Sequence, residues 1–303
     1  MSYPELQKLV DALRARPVIT DIGERRRAFD AFATTFPPAA DVTVETLELG
    51  GVMAERSRTP GDDAAGAILY VHGGGYVFGS LDSHRHVVTE IGRAAGVPGY
   101  ALHYRLAPEH PFPAPVEDTV AAYRALLAQG IAPGRIALAG DSAGGGLVVA
   151  ALVAFREAGL PQPACGWSIS PWIDLEALGP SMTGNAASDP SVQRDPILEL
   201  ARLYLAGADP RSPLAAPLYA DLKGIAPLLI QVGAIETLLD DAVRLAGRAA
   251  AAGVPTRLDV WPEMPHVWHL FHPVLTAGRK AIEQGGAFVK AAMQDGAPFT
   301  YRG

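Results

Sequence analysis

Short apolar runs alternate with amphipathic helical segments along this chain, and that alternation is the strongest constraint on its fold. The apolar runs include AILYVHG, PGYALHY, RIALAGDS and PLLIQVG, and each is followed by a segment whose apolar residues have helical spacing. Such alternation is typical of β-α-β units, in which helices cover both faces of parallel strands. The sequence therefore predicts an α/β protein with a mainly parallel sheet. Its reactive loops are expected at the carboxyl ends of the strands.

Two stretches lie outside this alternation. Residues 1–40 contain two helical segments, and residues 171–225 form an irregular connection rich in Pro, Asp and Ser. Long irregular connections in compact domains usually form lids or binding surfaces. We expect the two stretches to pack together as a cap over the strand ends, with residues 41–303 forming the main domain. The alternative is that the insertion at 171–225 is a peripheral decoration.

Composition excludes several classes of protein. The 303 residues are 49% hydrophobic and 19% charged, which suffices for a large core. The net charge of −7 gives no basic surface for nucleic acid or anionic membranes. The sequence has no apolar run of about 18 residues, so no membrane span is predicted. The first residues predict an amphipathic helix rather than a targeting signal. The single cysteine, Cys165, is expected to be inert core, and a cytoplasmic location is predicted.

The motif GDSAG at 140–144 lies between the apolar run RIALA and a helical segment. A serine on a tight strand-to-helix turn projects its hydroxyl above the sheet, and the positive end of the helix favours negative charge there. The motif predicts Ser142 as a nucleophile. The alternative is a glycine-rich turn that only caps a helix.

The motif HGGG at 72–75 also follows an apolar strand directly. Acyl transfer passes through a tetrahedral oxyanion that needs N–H donors about 3 Å away, and glycines let backbone amides point inward. We predict the amides of Gly74, Gly75 and Ala143 as oxyanion donors. A phosphate-binding loop is disfavoured because neither nucleotide-binding glycine motif is present. Tyr76 follows this loop and is predicted to contact substrate.

One of the eight histidines has the position of a general base. In hydrolases built on such sheets the order along the chain is nucleophile, acid, histidine, and the histidine follows the last strand. His266 comes directly after the strand-like TRLDVWP and a Met-Pro turn. The context of each other histidine gives it a different place. His72 belongs to the glycine loop, His84 and His86 to a helix surface, and His103 to a strand. His110 belongs to a proline-rich turn, and His269 and His272 to the final helix. A metal site among the last histidines is disfavoured, because they fan apart at helical spacing.

The acid should follow a strand between Ser142 and His266. The strand-like PLLIQVG ends at 233, and Glu236 comes three residues later. A carboxylate of either length can orient the histidine and stabilise its imidazolium. Asp240 and Asp241 are expected on a solvated helix face, although Asp240 remains an alternative acid.

Five motifs taken together resemble one known family. HGGGYVFGS, YRLAPEHPFPAP, GDSAGGG, SPW-x-DL and MPHVWH are similar to motifs of the bacterial hormone-sensitive-lipase-like esterases, and the resemblance runs from about residue 67 to 270. The resemblance implies an eight-stranded α/β-hydrolase core with a helical cap, no cofactor, and activity on short-to-medium acyl esters. It assigns the nucleophile, the base and the oxyanion amides to the residues derived above. The family's acid is commonly Asp in D-P-L, whereas this chain has E-T-L at Glu236, a pattern that resembles the epsilon-lactone hydrolases.

The predicted function is a serine carboxylesterase that uses Ser142, His266 and Glu236 through an acyl-enzyme, with no metal or cofactor. The absence of an Arg or Lys cluster beside the motifs predicts a small neutral ester or lactone as substrate. The alternatives are a lactone hydrolase, amidase or acyltransferase using the same serine. A non-catalytic receptor is disfavoured. Plant gibberellin receptors resemble this family but lack the working histidine, whereas this chain has His266. TRLDVWP has the pattern of an edge strand, which predicts a homodimer.

Overall fold

A computed structural model describes residues 3–295 and is built around one eight-stranded sheet. The strands are β1 Thr43–Leu49, β2 Val52–Arg58, β3 Ala67–Val71, β4 Gly99–Leu102, β5 Ile136–Asp141, β6 Cys165–Ile169, β7 Leu228–Gly233 and β8 Thr256–Trp261. Their order in the sheet is β1-β2-β4-β3-β5-β6-β7-β8. The pairings of β2 with β1 and β4 are antiparallel, and all the others are parallel. The predicted mainly parallel sheet is confirmed.

Helices cover both faces of this sheet. They are α1 Leu6–Arg14, α2 Ile22–Ala33, α3 Leu81–Ala95, α4 Ala114–Ala128, α5 Ala143–Glu157, α6 Ser181–Gly184, α7 Arg194–Leu205, α8 Leu239–Ala251 and α9 Thr276–Asp295. Because side chains alternate between the faces of a strand, Ile68 of β3 belongs to the apolar cluster that contains residues of α3 and α9. Leu69 belongs to the cluster that contains residues of α4, α5 and α8. The inner strands β3, β5, β6 and β7 are buried along their whole length, as parallel strands between two helical layers must be.

The two predicted cap stretches lie near each other but pack on different partners. Apolar side chains of α1 and α2 join a cluster with residues 264–281 after β8, and α2 also packs on α3. The insertion contains α6 and α7, and α7 packs into the core cluster on the opposite face of the sheet from α9. Arg14 donates a hydrogen bond to the carbonyl of Ala187 at 3.3 Å, which joins the two stretches. A single cap unit stays a prediction, and residues 1–2 and 296–303 of the predicted domains lie outside the described residues.

Five histidines lie where the sequence analysis did not place them. His269 and His272 were expected on the final helix, but α9 begins at Thr276, and His269 lies in the 3-10 turn Trp268–Phe271 before it. His84 and His86 were expected on a helix surface, but their exposed fractions are 1% and 4%. The prediction was wrong because α3 is covered by α2 on one side and α9 on the other, so that little of it faces solvent. His103 was expected within a strand, but β4 ends at Leu102 and His103 is exposed.

The expectations for Cys165 and for the edge strand are met. Cys165 is buried, and β8 forms one edge of the sheet, with 44% of Val260 exposed. Over residues 3–295, the helices are all too short or too polar to span a bilayer.

A substitution at Gly144, the second glycine of GDSAG, tests how closely α5 packs on the sheet. A Cβ added to Gly144 would collide with the carbonyl oxygens of Val71 and His72, which are backbone atoms with little freedom to move. We expect Gly144→Ala to lower the free energy of unfolding by about 1–3 kcal/mol, as overpacking does. Urea denaturation measures the change.

Gly247→Ala is the matched control, because an added Cβ there meets nothing within 4 Å in the middle of α8. It should raise the free energy of unfolding by about 0.5–1 kcal/mol. If Gly144→Ala were as stable as the parent protein, the close contact between α5 and β3 would be refuted.

Candidate active site

Ser142 occupies a strained turn between β5 and α5. Its backbone has φ 54° and ψ −120°, a region that non-glycine residues adopt at a cost of about 1–3 kcal/mol. Hydrogen bonds on both sides hold this conformation. The Ser142 amide donates to Ile169 O at 2.8 Å, and its carbonyl accepts from Gly146 and Trp172 at 3.0 Å. The turn therefore projects the hydroxyl beyond the carboxyl end of the sheet.

The ring of His266 lies between Ser142 and Glu236. Its Nε2 is 2.9 Å from Ser142 Oγ, and its Nδ1 is 2.8 Å from Glu236 Oε2. The histidine is 124 residues from the serine and 30 residues from the glutamate along the chain, so only the folded sheet brings them together. The structure thus places the predicted nucleophile, base and acid in one continuous hydrogen-bonded row.

The carboxylate of Glu236 is fully buried and held from several sides. Besides His266 at Oε2, its Oε1 accepts from the Ser170 hydroxyl at 2.7 Å and from the Gly233 amide at 2.5 Å. Buried carboxylates need such partners because an unpaired charge in the interior is costly. These contacts fix which oxygen faces the imidazole.

Asp240 and Asp241 have other partners. Asp240 accepts a short hydrogen bond from the Ser181 amide. Asp241 was expected on a solvated face, which is wrong: it is buried, and its Oδ2 accepts from the amides of Ile173 and Asp174, both at 2.9 Å. Burial raises the pKa of Asp241 to about 7. Both aspartates therefore bind the start of the insertion to α8, away from the imidazole.

Ser170 is a site residue that the sequence analysis missed. It has φ 45° directly after β6, donates to Glu236 and accepts the Val267 amide at 3.1 Å. One hydroxyl therefore connects the acid to the loop that carries His266. The signal was present in SPW-x-DL, where Ser170 is the first residue, but the motif was used only for the family resemblance.

Neighbouring carboxylates control the charge of His266. Burial alone lowers the pKa of its ring. The hydrogen bond and charge of Glu236, together with the charges of Asp189 and Asp141, outweigh burial and raise the pKa of His266 above 6.5. The carboxylates therefore stabilise the protonated form of this ring, relative to the same ring buried without them.

The amides of the predicted oxyanion donors are free to bind a ligand. Gly74 and Gly75 have φ 111° and 61°, and Ala143 is the first residue of α5. Within residues 3–295 the three N–H groups have no acceptor. The loop is supported from below, because Tyr104 Oη donates to His72 O at 2.7 Å. These amides can bind a negatively charged oxygen without breaking an existing hydrogen bond.

Asp141 is a second residue that was missed, although it is the variable position of the nucleophile motif. Its buried Oδ1 accepts from Tyr70 Oη at 2.7 Å and from Gly73 N at 3.0 Å, and it lies 3.3 Å from His84 Nε2. Burial alone would raise its pKa, but the His84 charge and the hydrogen bonds lower the pKa of Asp141 to about 2. An ionised carboxylate therefore holds the HGGG loop beside Ser142.

Tyr76 is packed beneath the site. Its ring stacks on Tyr204 of α7 with centroids 3.8 Å apart, and only 1% of it is exposed. Its predicted contact with substrate stays a prediction, because the ring faces the insertion in this structure.

The three C-terminal histidines point to different partners. His266 faces Ser142, His269 Nε2 lies 2.9 Å from Gln231 Oε1, and His272 stacks on His86 with centroids 5.5 Å apart. Over residues 3–295 no group of three His, Cys, Asp or Glu side chains is arranged to hold a metal ion.

Comparison with known proteins agrees with this architecture. A family model described as the α/β-hydrolase fold matches residues 68–270, more than half of the chain. The chain belongs to the α/β-hydrolase family. This α/β-hydrolase is 51% identical over 303 residues to an acetyl-hydrolase of Streptomyces hygroscopicus, with 98% of this chain and 99% of the relative covered.

Two solved structures are also close to this α/β-hydrolase. An esterase of the bacterial hormone-sensitive lipase family is 53% identical, with a TM-score of 0.94 and coverage of 97% of this chain and 99% of that one. A hormone-sensitive lipase from a metagenome library is 38% identical, with a TM-score of 0.93 and coverage of 97% and 100%. The resemblance inferred from the five motifs is confirmed, and this α/β-hydrolase is a carboxylic ester hydrolase of the hormone-sensitive lipase type.

The protonation of His266 can be measured directly. We expect its C2 proton to titrate by NMR with a midpoint above pH 6.5. Glu236→Gln should lower the midpoint, because burial lowers the pKa of the ring and the charge of Glu236 no longer raises it. Four of the other histidines do not interfere, because burial lowers the pKa of His72 and His269 to about 3 and of His86 and His272 to about 4. A His266→Asn spectrum assigns the signal. A midpoint at or below 6.5 in the parent protein would contradict the effect of the carboxylates.

Proposed function

We propose that this esterase hydrolyses short-to-medium acyl esters through a Ser142–His266–Glu236 triad and an acyl-enzyme intermediate. The observation that carries the proposal is the position of the His266 ring, with one nitrogen 2.9 Å from Ser142 Oγ and the other 2.8 Å from Glu236 Oε2. Nucleophile, base and orienting acid in this arrangement define serine acyl-transfer sites on unrelated folds.

Each step uses groups of this chain. As Ser142 Oγ forms a bond to the ester carbonyl carbon, its proton passes to His266 Nε2, and the carbonyl oxygen becomes an oxyanion. The amides of Gly74, Gly75 and Ala143 are proposed to bind that oxyanion, and one such donor contributes about 10²–10³ in rate. The ester C–O bond then breaks, and the alcohol leaves with the proton from His266. Water attacks the acyl-enzyme by the same route and releases the acid and Ser142.

Glu236 is proposed as the acid in preference to Asp240. Its support is the 2.8 Å contact with His266 Nδ1 and the hydrogen bonds from Ser170 and Gly233 that orient it. Asp240 instead binds the Ser181 amide at the start of α6.

Matched carboxamide variants test the acid. We expect Glu236→Gln to lower kcat by orders of magnitude, up to about 10⁴-fold, because the neutral side chain no longer stabilises the imidazolium. Asp240→Asn should change kcat far less. Both are measured with a chromogenic short-chain ester, with Ser142→Ala as the inactive reference and circular dichroism as the check on folding. The reverse order of the two carboxylates would move the role to Asp240, and an active Ser142→Ala would refute the nucleophile.

A small neutral substrate is proposed on two grounds. A relative that shares 51% identity is named an acetyl-hydrolase, and α7 of the insertion lies directly on the oxyanion loop, where a Cβ added to Gly75 would collide with Leu200. Space beside the proposed oxyanion is therefore limited by an apolar side chain. A lactone hydrolase on the same triad is the second candidate, favoured by the pattern GxxExLxDD at 233–241.

A substrate panel separates these candidates. We expect kcat/KM to be highest for acetyl to hexanoyl esters of one chromogenic alcohol and to fall about tenfold or more for dodecanoyl esters, because Leu200 packs against Gly75 of the glycine loop. Amides of the same acids provide the comparison for a different leaving group. A six- or seven-membered lactone that exceeds every linear ester in kcat/KM would favour the lactone hydrolase. No turnover of any compound would favour a receptor.

A homodimer through β8 is also proposed. The strand lies at the sheet edge with its outer hydrogen-bonding groups unpaired by another strand of the described chain, and Val260 is exposed beside them. Such edges favour pairing between subunits.

A further inference from the structure

The insertion supplies hydrogen bonds to every carbonyl of the backbone segment that carries Glu236. We define residues 234–237 as the acid loop and residues 181–192 as the clamp. Asn185 donates through Nδ2 to the first and third carbonyls of the acid loop, at 3.2 and 2.8 Å. Ser188 donates to the second carbonyl at 3.2 Å, and Ser181 donates to the fourth at 2.7 Å. All four consecutive carbonyls therefore accept from clamp side chains.

Asp189 supplies the hydrogen-bond acceptor for donors of the acid loop. Its Oδ2 accepts from the amide and hydroxyl of Thr237, at 2.8 and 3.1 Å. Its Oδ1 accepts from the amides of Ser191 and Val192, at 2.8 and 3.1 Å. One carboxylate thus joins the clamp's own turn to the residue that follows Glu236.

Asp189 is a buried carboxylate without a cationic partner in the described part of the chain. Its exposed fraction is 4%, and among residues 3–295 no Lys, Arg or His forms an ion pair with it. Burying a carboxylate without a cation is costly, whereas a neutral amide or hydroxyl can also hold a turn. Asp189 also acts on the imidazole of His266, the group that gains a proton in the proposed reaction, because its charge raises the pKa of that ring.

We infer that Asp189 is a positioning residue for ester hydrolysis, which fixes the acid loop beneath His266 and adds a second negative charge to the field that stabilises the imidazolium. The inference rests on the proposed triad and extends its machinery into the insertion. The charged groups that act on the His266 ring are then Glu236 after β7, Asp189 of the clamp and Asp141 at the end of β5. These three carboxylates raise the pKa of the ring, and burial of the ring lowers it.

Two consequences follow when the charge is removed. A looser acid loop lets Glu236 move from its contact with His266, and displacements of about 1 Å can cost about 10²-fold in rate. With one anion fewer, the imidazolium is less stable, so the pKa of the His266 ring falls. The acid limb of kcat/KM reports that ionisation in the free enzyme, and it therefore moves to lower pH.

The experiment compares Asp189→Asn with Asp195→Asn, an exposed carboxylate of α7 in the same insertion. Asp189→Asn should lower kcat about 10- to 100-fold with KM within about threefold, and should shift the acid limb to lower pH. Asp195→Asn should match the parent enzyme in all three. A loss of melting temperature alone, with kcat and the pH profile unchanged, would reduce Asp189 to a structural role and overturn the inference.

Thr237→Val keeps the test open if Asp189→Asn does not fold. It removes the hydroxyl contacts to Asp189 and Val192 but leaves the charge in place. We expect kcat to fall with the acid limb unmoved, and an unchanged kcat would overturn the positioning role.

Glu236→Gln, measured in parallel, separates this inference from the proposed function. Full activity of Glu236→Gln would refute the triad, and the role of Asp189 with it. Loss of activity in Glu236→Gln together with normal kinetics in Asp189→Asn would refute the role of Asp189 alone.

Discussion

The two hydrogen bonds of the His266 ring depend on the parallel arrangement of β5, β7 and β8. Ser142 follows β5, Glu236 follows β7 and His266 follows β8, and parallel strands end at the same edge of a sheet. The row of hydrogen bonds can form only there. The strained φ of Ser142 is sustained by the same edge, because the partner of its amide, Ile169, ends β6.

Buried carboxylates hold several of the loops around this edge. Asp141 binds the glycine loop, Asp241 binds the segment after β6, and Asp189 binds the acid loop, each by accepting backbone amides. Irregular backbone that is withdrawn from water must find partners, and a carboxylate can accept several N–H groups at once. The loops are consequently fixed by short polar contacts, while the helices and strands below them are fixed by apolar packing.

Sequence patterns predicted the parts of the site that are governed by local rules. A glycine-flanked serine between a strand and a helix predicts a sharp turn, and the order of motifs predicts which strand ends carry the base and the acid. The same reasoning failed for His84 and Asp241. Both occupy helices with polar neighbours in sequence, and their burial results from α2, α9 and the insertion, which are distant in the chain. Periodicity of one helix does not reveal which face a remote segment will cover.

By itself, the sequence determined the α/β class, the mainly parallel sheet and the hydrolase family, because each of these follows from the period of apolar residues and from motifs a few residues long. The tertiary structure alone decided that Glu236 rather than Asp240 faces His266, that Ser170 links the two, and that Asp189 reaches the acid loop. Those contacts join residues 30 to 97 positions apart along the chain, which lie after different strands or on the insertion. No local pattern encodes an orientation that arises only when separate strand ends meet.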